Sequence, residues 1–269
     1  MSVRLRDDPL RPVCAIGVMA KAPQPGRSKT RLCPPLLAPQ AAALSAAFLR
    51  DVTENIVAAA RSVPIQGLIA YAPAGSAALF DGHLANGTAL VLADGLPNSP
   101  DAMPADVQGF GRCLLHAIRT MLAQGFAAAC VLNSDSPSLP TALLARAAQA
   151  LLAPGDRVVL GPAEDGGYYL LGMKAPHAGL FADIAWSMDN VADATRARAR
   201  ELGLDIVELP LWYDVDDRVS LARLIEEIAE KGTNEDLPPY PAPATSAALR
   251  SIGLLEPLAI PLLQAGAAE

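Results

Sequence analysis

Lys21, Arg27, Lys29 and Arg31 put four positive charges into an eleven-residue stretch that holds two prolines, one glycine and no acid. Guanidinium forks and ammonium point charges are the side chains that hold phosphate oxygens. Gly26 permits close approach of backbone to a ligand, and Pro23 and Pro25 reduce the freedom the loop loses on binding. The stretch follows an apolar run, residues 13–20, with Ala20 at the junction. It therefore lies at the carboxyl end of a strand, where open α/β sheets bind ligands. That position favours a phosphate clamp over a solvated loop. A P-loop does not fit, because no glycine stands in front of Lys29.

A phosphate site of this kind calls for a divalent cation. Mg2+, or Mn2+ in its place, takes one or two carboxylates and completes its shell with phosphate oxygens and water. Two stretches offer carboxylates. In V-L-N-S-D-S-P-S-L-P, Asp135 ends an apolar strand, and Ser136 or Ser138 suits a cap for a helix starting near Pro140. In W-Y-D-V-D-D-R-V-S, Asp214 and Asp216 share one face of an extended segment, with Asp217 on the other. One of that pair completes a metal site with Asp135, while Asp217 or Ser220 caps the following helix. A third stretch, G-P-A-E-D-G-G-Y-Y, suits a hairpin turn at Gly166 and Gly167. Asp165 and Glu164 are then turn residues, or Asp165 and the glycine backbone hold hydroxyls of an acceptor or sugar. Both readings stay open.

These residues need a scaffold, and the chain alternates strand-like and helix-like segments. Strands are expected at 13–20, 65–71, 89–92, 127–132, 157–160, 168–173 and 205–209. Helices are expected at 40–60, 110–124, 141–152, 191–202 and 220–231. Leu44, Phe48, Val52 and Ile56 recur at helical spacing in the first of these. Alternation of this kind is the pattern of an α/β fold with a mostly parallel central sheet flanked by helices. A proline-rich break at 232–246 divides a domain at 1–231 from a C-terminal piece at 232–269. Within that piece, 247–264 is apolar and packs back on the domain, makes a homodimer contact or forms a loose tail.

With 269 residues, 52% of them hydrophobic, the chain can bury a sizeable core. A net charge of −7 argues against nucleic acid or anionic membranes as partners. Cys14, Cys33, Cys113 and Cys130 lack the pairing of a zinc or redox motif, and Cys14 and Cys130 suit the core. Free thiols fit a reducing compartment. No signal-like or membrane-length apolar run is evident, so a soluble cytoplasmic protein is expected. His83, His116 and His177 are scattered and receive no role.

The order of motifs carries a resemblance. A basic loop after the first strand, S-D-S-P-x-L, P-A-E-D-G-G-Y-Y-L-L-G, W-S and D-V-D-D before a helix follow one another. This set resembles a bacterial glycosyltransferase-like family related to the 2-phospho-lactate guanylyltransferases, within the nucleotide-diphospho-sugar transferase (GT-A) superfamily. The resemblance covers residues 13–230 and implies a single Rossmann-like GT-A domain. It implies that Ala20, Lys21, Gly26, Arg27, Lys29 and Arg31 hold a nucleotide, and that Asp135 with Asp216, or Asp214, holds a metal. Gln108, Gly109, Gly111 and Arg112 match a Q-G-x-G-x-R-like element beside the substrate, and Asp165, Gly166 and Gly167 line the acceptor pocket. The chain departs from that superfamily in carrying Asn133-Ser134-Asp135 where many members have D-x-D, and A-P-Q-P-G where many have G-x-G.

The expected activity is metal-dependent nucleotidyl transfer to a small phosphorylated or hydroxyl acceptor, with Lys21, Lys29, Arg31 and Asp135 as catalytic residues. Two other activities fit the same residues: glycosyl transfer from a nucleotide-sugar, and nucleotide binding without turnover.

Overall fold

Strands buried on both faces read as continuous apolar runs, and this sheet is covered on both. The structure is a computed structural model that describes residues 12–96, 103–186, 188–229 and 236–255. Its strands are β1 Cys14–Ala20, β2 Ile65–Tyr71, β3 Ala89–Leu92, β4 Ala128–Leu132, β5 Arg157–Pro162, β6 Tyr168–Met173 and β7 Asp205–Glu208. Its α-helices are α1 Ala38–Ala59, α2 Phe110–Ala123, α3 Thr141–Leu152, α4 Val191–Glu201, α5 Arg218–Ala229 and α6 Pro243–Ser251. The sheet order is β3-β2-β1-β4-β6-β5-β7. Strands β1, β2, β3 and β4 pair in parallel, as do β5 and β7. Only β6 is reversed, running antiparallel to β4 and β5. The expected α/β architecture with a mostly parallel sheet is thus the observed one.

Alternate residues of β1 go to opposite sides. Cys14, Ile16, Val18 and Ala20 join the core under α1, α3, α5 and α6, where Leu44, Phe48, Val52 and Ile56 are buried together. Ala15 joins the core under α2 and α4, with Leu114, Ile118 and Met121. At Gly17 a Cβ would meet Met121 Sδ at 2.9 Å, so the missing side chain leaves room for the end of Met121 of α2 against β1. The result is three layers with one set of strand carboxyl ends, those of β1 to β4, along a single edge.

The sequence places a break at 232–246, but α6 begins inside it, with Pro243 in the first helical turn, where its missing N–H costs nothing. The helix lies on α1. Buried Asp51 of α1 accepts hydrogen bonds from the Ala244 N–H at 3.0 Å and the Thr245 N–H at 2.6 Å. A carboxylate from one helix thus caps the other. Of the apolar segment 247–264, residues 256–264 lie outside the described residues, as do 230–231 of the expected helix 220–231. All four cysteines are free, and Cys14 and Cys130 are buried. Among the described residues no helix is long and apolar enough to cross a membrane.

Candidate functional site: a cationic cleft closed by two aspartates

The carboxyl ends of β1 to β4 open on a cleft of about 600 Å³. Its floor is small and apolar, including Ala70, Ala72 and Ala93. The four loop cations Lys21, Arg27, Lys29 and Arg31 line it together with Asp135 and Asp216, as do Gly109, just before α2, and Phe110 and Cys113 of α2.

The loop holds its shape by short-range bonds. Arg27 and Ser28 N–H groups donate to the Gln24 carbonyl, and the Gln24 N–H donates to Ser28 Oγ at 3.0 Å. Gly26 takes φ 74° within this turn. Lys29 has φ 49° and ψ 40°, a left-handed backbone uncommon for a residue with a side chain. That geometry turns its side chain inward while Leu32, just beyond, anchors the loop in the core.

Lys29 Nζ donates to Asp216 Oδ1 at 2.8 Å and to the Val215 carbonyl at 2.7 Å, and it forms an ion pair with Asp135 Oδ1 at 2.7 Å. Its side chain is only 6% exposed, against 33% for Asp135 and 44% for Asp216. Burial acts to lower its pKa, but the charges and hydrogen bonds of the two aspartates outweigh this and hold it above 10.5. Among the described residues Lys21, Arg27 and Arg31 form no ion pair. The four cations therefore divide into one that is neutralised from within the protein and three that face the cleft.

The two aspartates come from distant segments laid side by side. The Val215 N–H donates to the Asp135 carbonyl at 2.8 Å, and Ser136 Oγ donates to the Tyr213 carbonyl at 2.8 Å. Ser138 Oγ lies 3.3 Å from Tyr213 Oη, which donates to Glu227 Oε1 at 3.1 Å. The Arg223 guanidinium sits over the Tyr213 ring at 3.9 Å. The serines thus bind the neighbouring segment instead of capping α3, whose N-cap is Pro140 without a side-chain bond. Both serines are buried, and a buried hydroxyl goes to the acceptor packed against it. Asp217 behaves as expected of a cap: its Oδ1 accepts the Ser220 N–H at 2.8 Å, and this bonding holds its pKa low.

Asp214 sits beside this pair but does not line the cleft. Its carboxyl is pushed up to about 6, first by burial and then by Asp216, Asp165 and Asp135. Among the described residues no three metal-ligating side chains cluster closely enough to hold an ion by themselves. Asp135 and Asp216 do fit a Mg2+ or Mn2+ ion that completes its shell with ligand oxygens. Their Oδ2 atoms accept no hydrogen bond among the described residues, and the acid-rich surroundings that raise Asp214 favour a cation.

The other expected site residues have local partners. Gly109 lines the cleft in a backbone shape, φ 54° and ψ −135°, open essentially to glycine. The Arg112 guanidinium donates to the carbonyls of Gly95 at 3.3 Å and Val107 at 3.5 Å, tying two loops together. Gln108 is exposed and donates to Ala105. A Cβ on Gly111 would meet the Trp186 ring at 2.6 Å, and one on Gly166 would meet the Asp189 carbonyl oxygen at 1.7 Å. Both glycines allow close packing. Gly167 N–H donates to Asp165 Oδ1 at 2.9 Å within the β5–β6 hairpin turn. Of the residues 165–167, none lines the cleft, although the Asp165 charge reaches Asp214.

The sequence reading missed Phe110, Cys113, Ser134 and the alanine floor. Ala72, Ala93 and Ser134 follow strand ends, so the strand-end rule could have found them. Burial and Asp94 push the Cys113 thiol up, which makes it a wall of the cleft and a poor nucleophile.

Comparisons with known proteins bear on the fold that carries this cleft. A protein from Desulfovibrio desulfuricans G20, named as a candidate nucleotide-diphospho-sugar transferase, is 26% identical, with 88% of this chain and 94% of that one covered at a TM-score of 0.70. Rv0371c from Mycobacterium tuberculosis H37Rv, solved with manganese, is 17% identical over 80% of this chain and 99% of that one, at a TM-score of 0.42. A CMP:2-keto-3-deoxy-manno-octonic acid synthetase complexed with CTP is 12% identical over 81% and 99%, at 0.47. The last two likenesses are too distant to bear on the reaction. A search of curated proteins returns no significant match. Residues 55–188 match a family described as an uncharacterized protein conserved in bacteria (DUF2064), a span that holds Asp135 and the hairpin turn but neither the basic loop nor Asp216. Residues 55–188 are thus similar to the DUF2064 family, and the chain shares its fold with a candidate nucleotide-diphospho-sugar transferase.

Proposed function

We propose that this chain is a transferase that binds the polyphosphate of a nucleotide in the cationic cleft and transfers the nucleotidyl group to a small phosphorylated or hydroxyl acceptor. One observation carries the reading: a single cleft gathers Lys21, Arg27, Lys29 and Arg31 beside Asp135 and Asp216. The likeness to a candidate nucleotide-diphospho-sugar transferase supports a transferase of this general kind.

In this reading Lys21, Arg27 and Arg31, which form no ion pair among the described residues, bind the phosphate chain. The apolar floor at Ala70, Ala72 and Ala93 leaves flat space for a nucleoside. An acceptor oxygen attacks the α-phosphorus, the bond from that phosphorus to the bridging oxygen breaks, and pyrophosphate leaves with the electron pair. The fixed cations stabilise the charge that builds on the phosphoryl oxygens. Asp135 and Asp216 would hold Mg2+ or Mn2+, which supplies further charge neutralisation and orients the phosphates. An anionic phosphate acceptor needs no general base.

Glycosyl transfer is the second reading, favoured by the name of the similar Desulfovibrio protein. There the same cations stabilise a departing nucleoside diphosphate. A thermal-shift panel of nucleoside triphosphates and nucleoside diphosphate sugars, with and without Mg2+, separates the two. Nucleotidyl transfer expects a Mg2+-dependent rise in Tm with one triphosphate, lost in Asp135→Ala, and pyrophosphate release once the acceptor is added. A rise with nucleotide-sugars alone supports glycosyl transfer. Binding without turnover of any acceptor supports a nucleotide-binding protein, and no rise with any ligand refutes the nucleotide site.

A further inference from the structure

We propose that Lys29 is the resident counter-ion of the Asp135–Asp216 pair, and that it makes divalent-metal binding there conditional on a polyphosphate. The inference rests on the reading of the cleft as a nucleotide and metal site.

An ammonium has three N–H donors and no acceptor. Here it donates to Asp216 Oδ1 at 2.8 Å and the Val215 carbonyl at 2.7 Å, and its charge is paired with Asp135 Oδ1 at 2.7 Å. With three oxygens already within 2.8 Å of Nζ, a phosphate reaches Lys29 only if one of them is displaced. The acceptors are also spaced for N–H···O bonds, whereas Mg2+ requires oxygens at about 2.0–2.1 Å. An ion entering beside Lys29 would meet two carboxylates already half neutralised and a buried ammonium of its own sign. Like charges at such separations repel strongly in a partly desolvated site.

A polyphosphate changes this balance. It brings several negative charges, and Lys21, Arg27 and Arg31 line the same cleft unpaired to receive them. Its oxygens offer the Lys29 ammonium a replacement acceptor and offer the ion the rest of its shell. Ion and anion then bind cooperatively, each removing the obstacle to the other. In the absence of the anion, the ammonium keeps two close carboxylates together, which would otherwise repel.

The test is a Mn2+ titration of the full chain, stripped of metal, followed by the electron paramagnetic resonance signal of the free ion. Without any anion, Lys29→Met is expected to bind Mn2+ at least ~10-fold more tightly than the wild type, and Lys29→Arg as weakly as the wild type. Wild type binding Mn2+ alone as tightly as Lys29→Met overturns the proposal while leaving the nucleotide and metal site standing. Should Lys29→Met not fold, nitrogen NMR of the lysine ammonium groups decides. Mg2+ alone should leave the Lys29 signal, identified by its absence in Lys29→Arg, in place, and Mg2+ with tripolyphosphate should move it. A signal moved by Mg2+ alone overturns the proposal. No metal binding even with tripolyphosphate, read as no added rise in Tm, refutes the underlying site and the proposal with it.

Discussion

Asp214→Asn should stabilise the protein at neutral pH and do so only there. Its carboxyl is pushed up to about 6 by burial and by three neighbouring aspartates, from an ordinary value of 3.8. A folded state with the higher pKa binds more protons than the unfolded chain between these values, so stability falls as pH rises through that window. The gap of roughly two pH units corresponds to at most about 3 kcal/mol, at about 1.4 kcal/mol each. Partial solvent contact around Asp214 reduces this to about 1–2 kcal/mol. Asparagine keeps the shape and never ionises, so it escapes the penalty. Urea unfolding at pH 3.5 and pH 7.5, in chelator-treated buffer, measures both ends. The expected result is a gain of about 1–2 kcal/mol at pH 7.5 and almost none at pH 3.5. An equal gain at both, or a loss at pH 7.5, would refute the account of crowded carboxylates. A gain would also identify Asp214 as a residue kept at a stability cost, as functional sites often are.

Asp51→Ala removes two backbone hydrogen bonds to a charged acceptor and also the burial of that charge, for a net loss of about 2–4 kcal/mol. Hydrogen exchange should show the α6 amides losing protection first, and unchanged α6 protection would refute the cross-helix cap. Gly166→Ala places a Cβ 1.7 Å from the Asp189 carbonyl oxygen at a residue with φ 86°, so a loss of about 3 kcal/mol or more is expected. A melting temperature within a degree or two of the wild type would show that the hairpin turn adjusts freely.

Much of the scaffold was legible because it depends on short-range periodicity. Leu44, Phe48, Val52 and Ile56 recur every fourth residue, and all four are buried on one side of α1. The D-G-G turn announced the hairpin that makes β6 the one reversed strand. Asp217 was readable as a cap because its partner Ser220 is three residues away. The inward turn of Lys29 was not legible. Its left-handed backbone has no sequence signature, and Asp216 lies far along the chain. Ser136 and Ser138 misled for a related reason. Their local context suits a helix cap, but tertiary packing against Tyr213 offered buried hydroxyls another partner. Arg112 likewise looked like a substrate contact in a one-dimensional motif, while its fork binds carbonyls of the Gly95 and Val107 loops.

The pairing of Val215 with Asp135 also sets an order of events during synthesis. Along the chain the basic loop comes first, then Asp135 and then Asp216. Until the segment carrying Tyr213 and Val215 has emerged and docked, Lys29 has no second carboxylate and the cleft lacks one wall. This contact can form only after both segments have left the ribosome. A nascent chain can therefore complete the β1–β4 half and its alanine floor while remaining unable to assemble the acid pair. A protein truncated before residue 213 should keep much of that half and lose the pair, so the segment carrying Tyr213 to Asp216 decides when the cleft becomes competent.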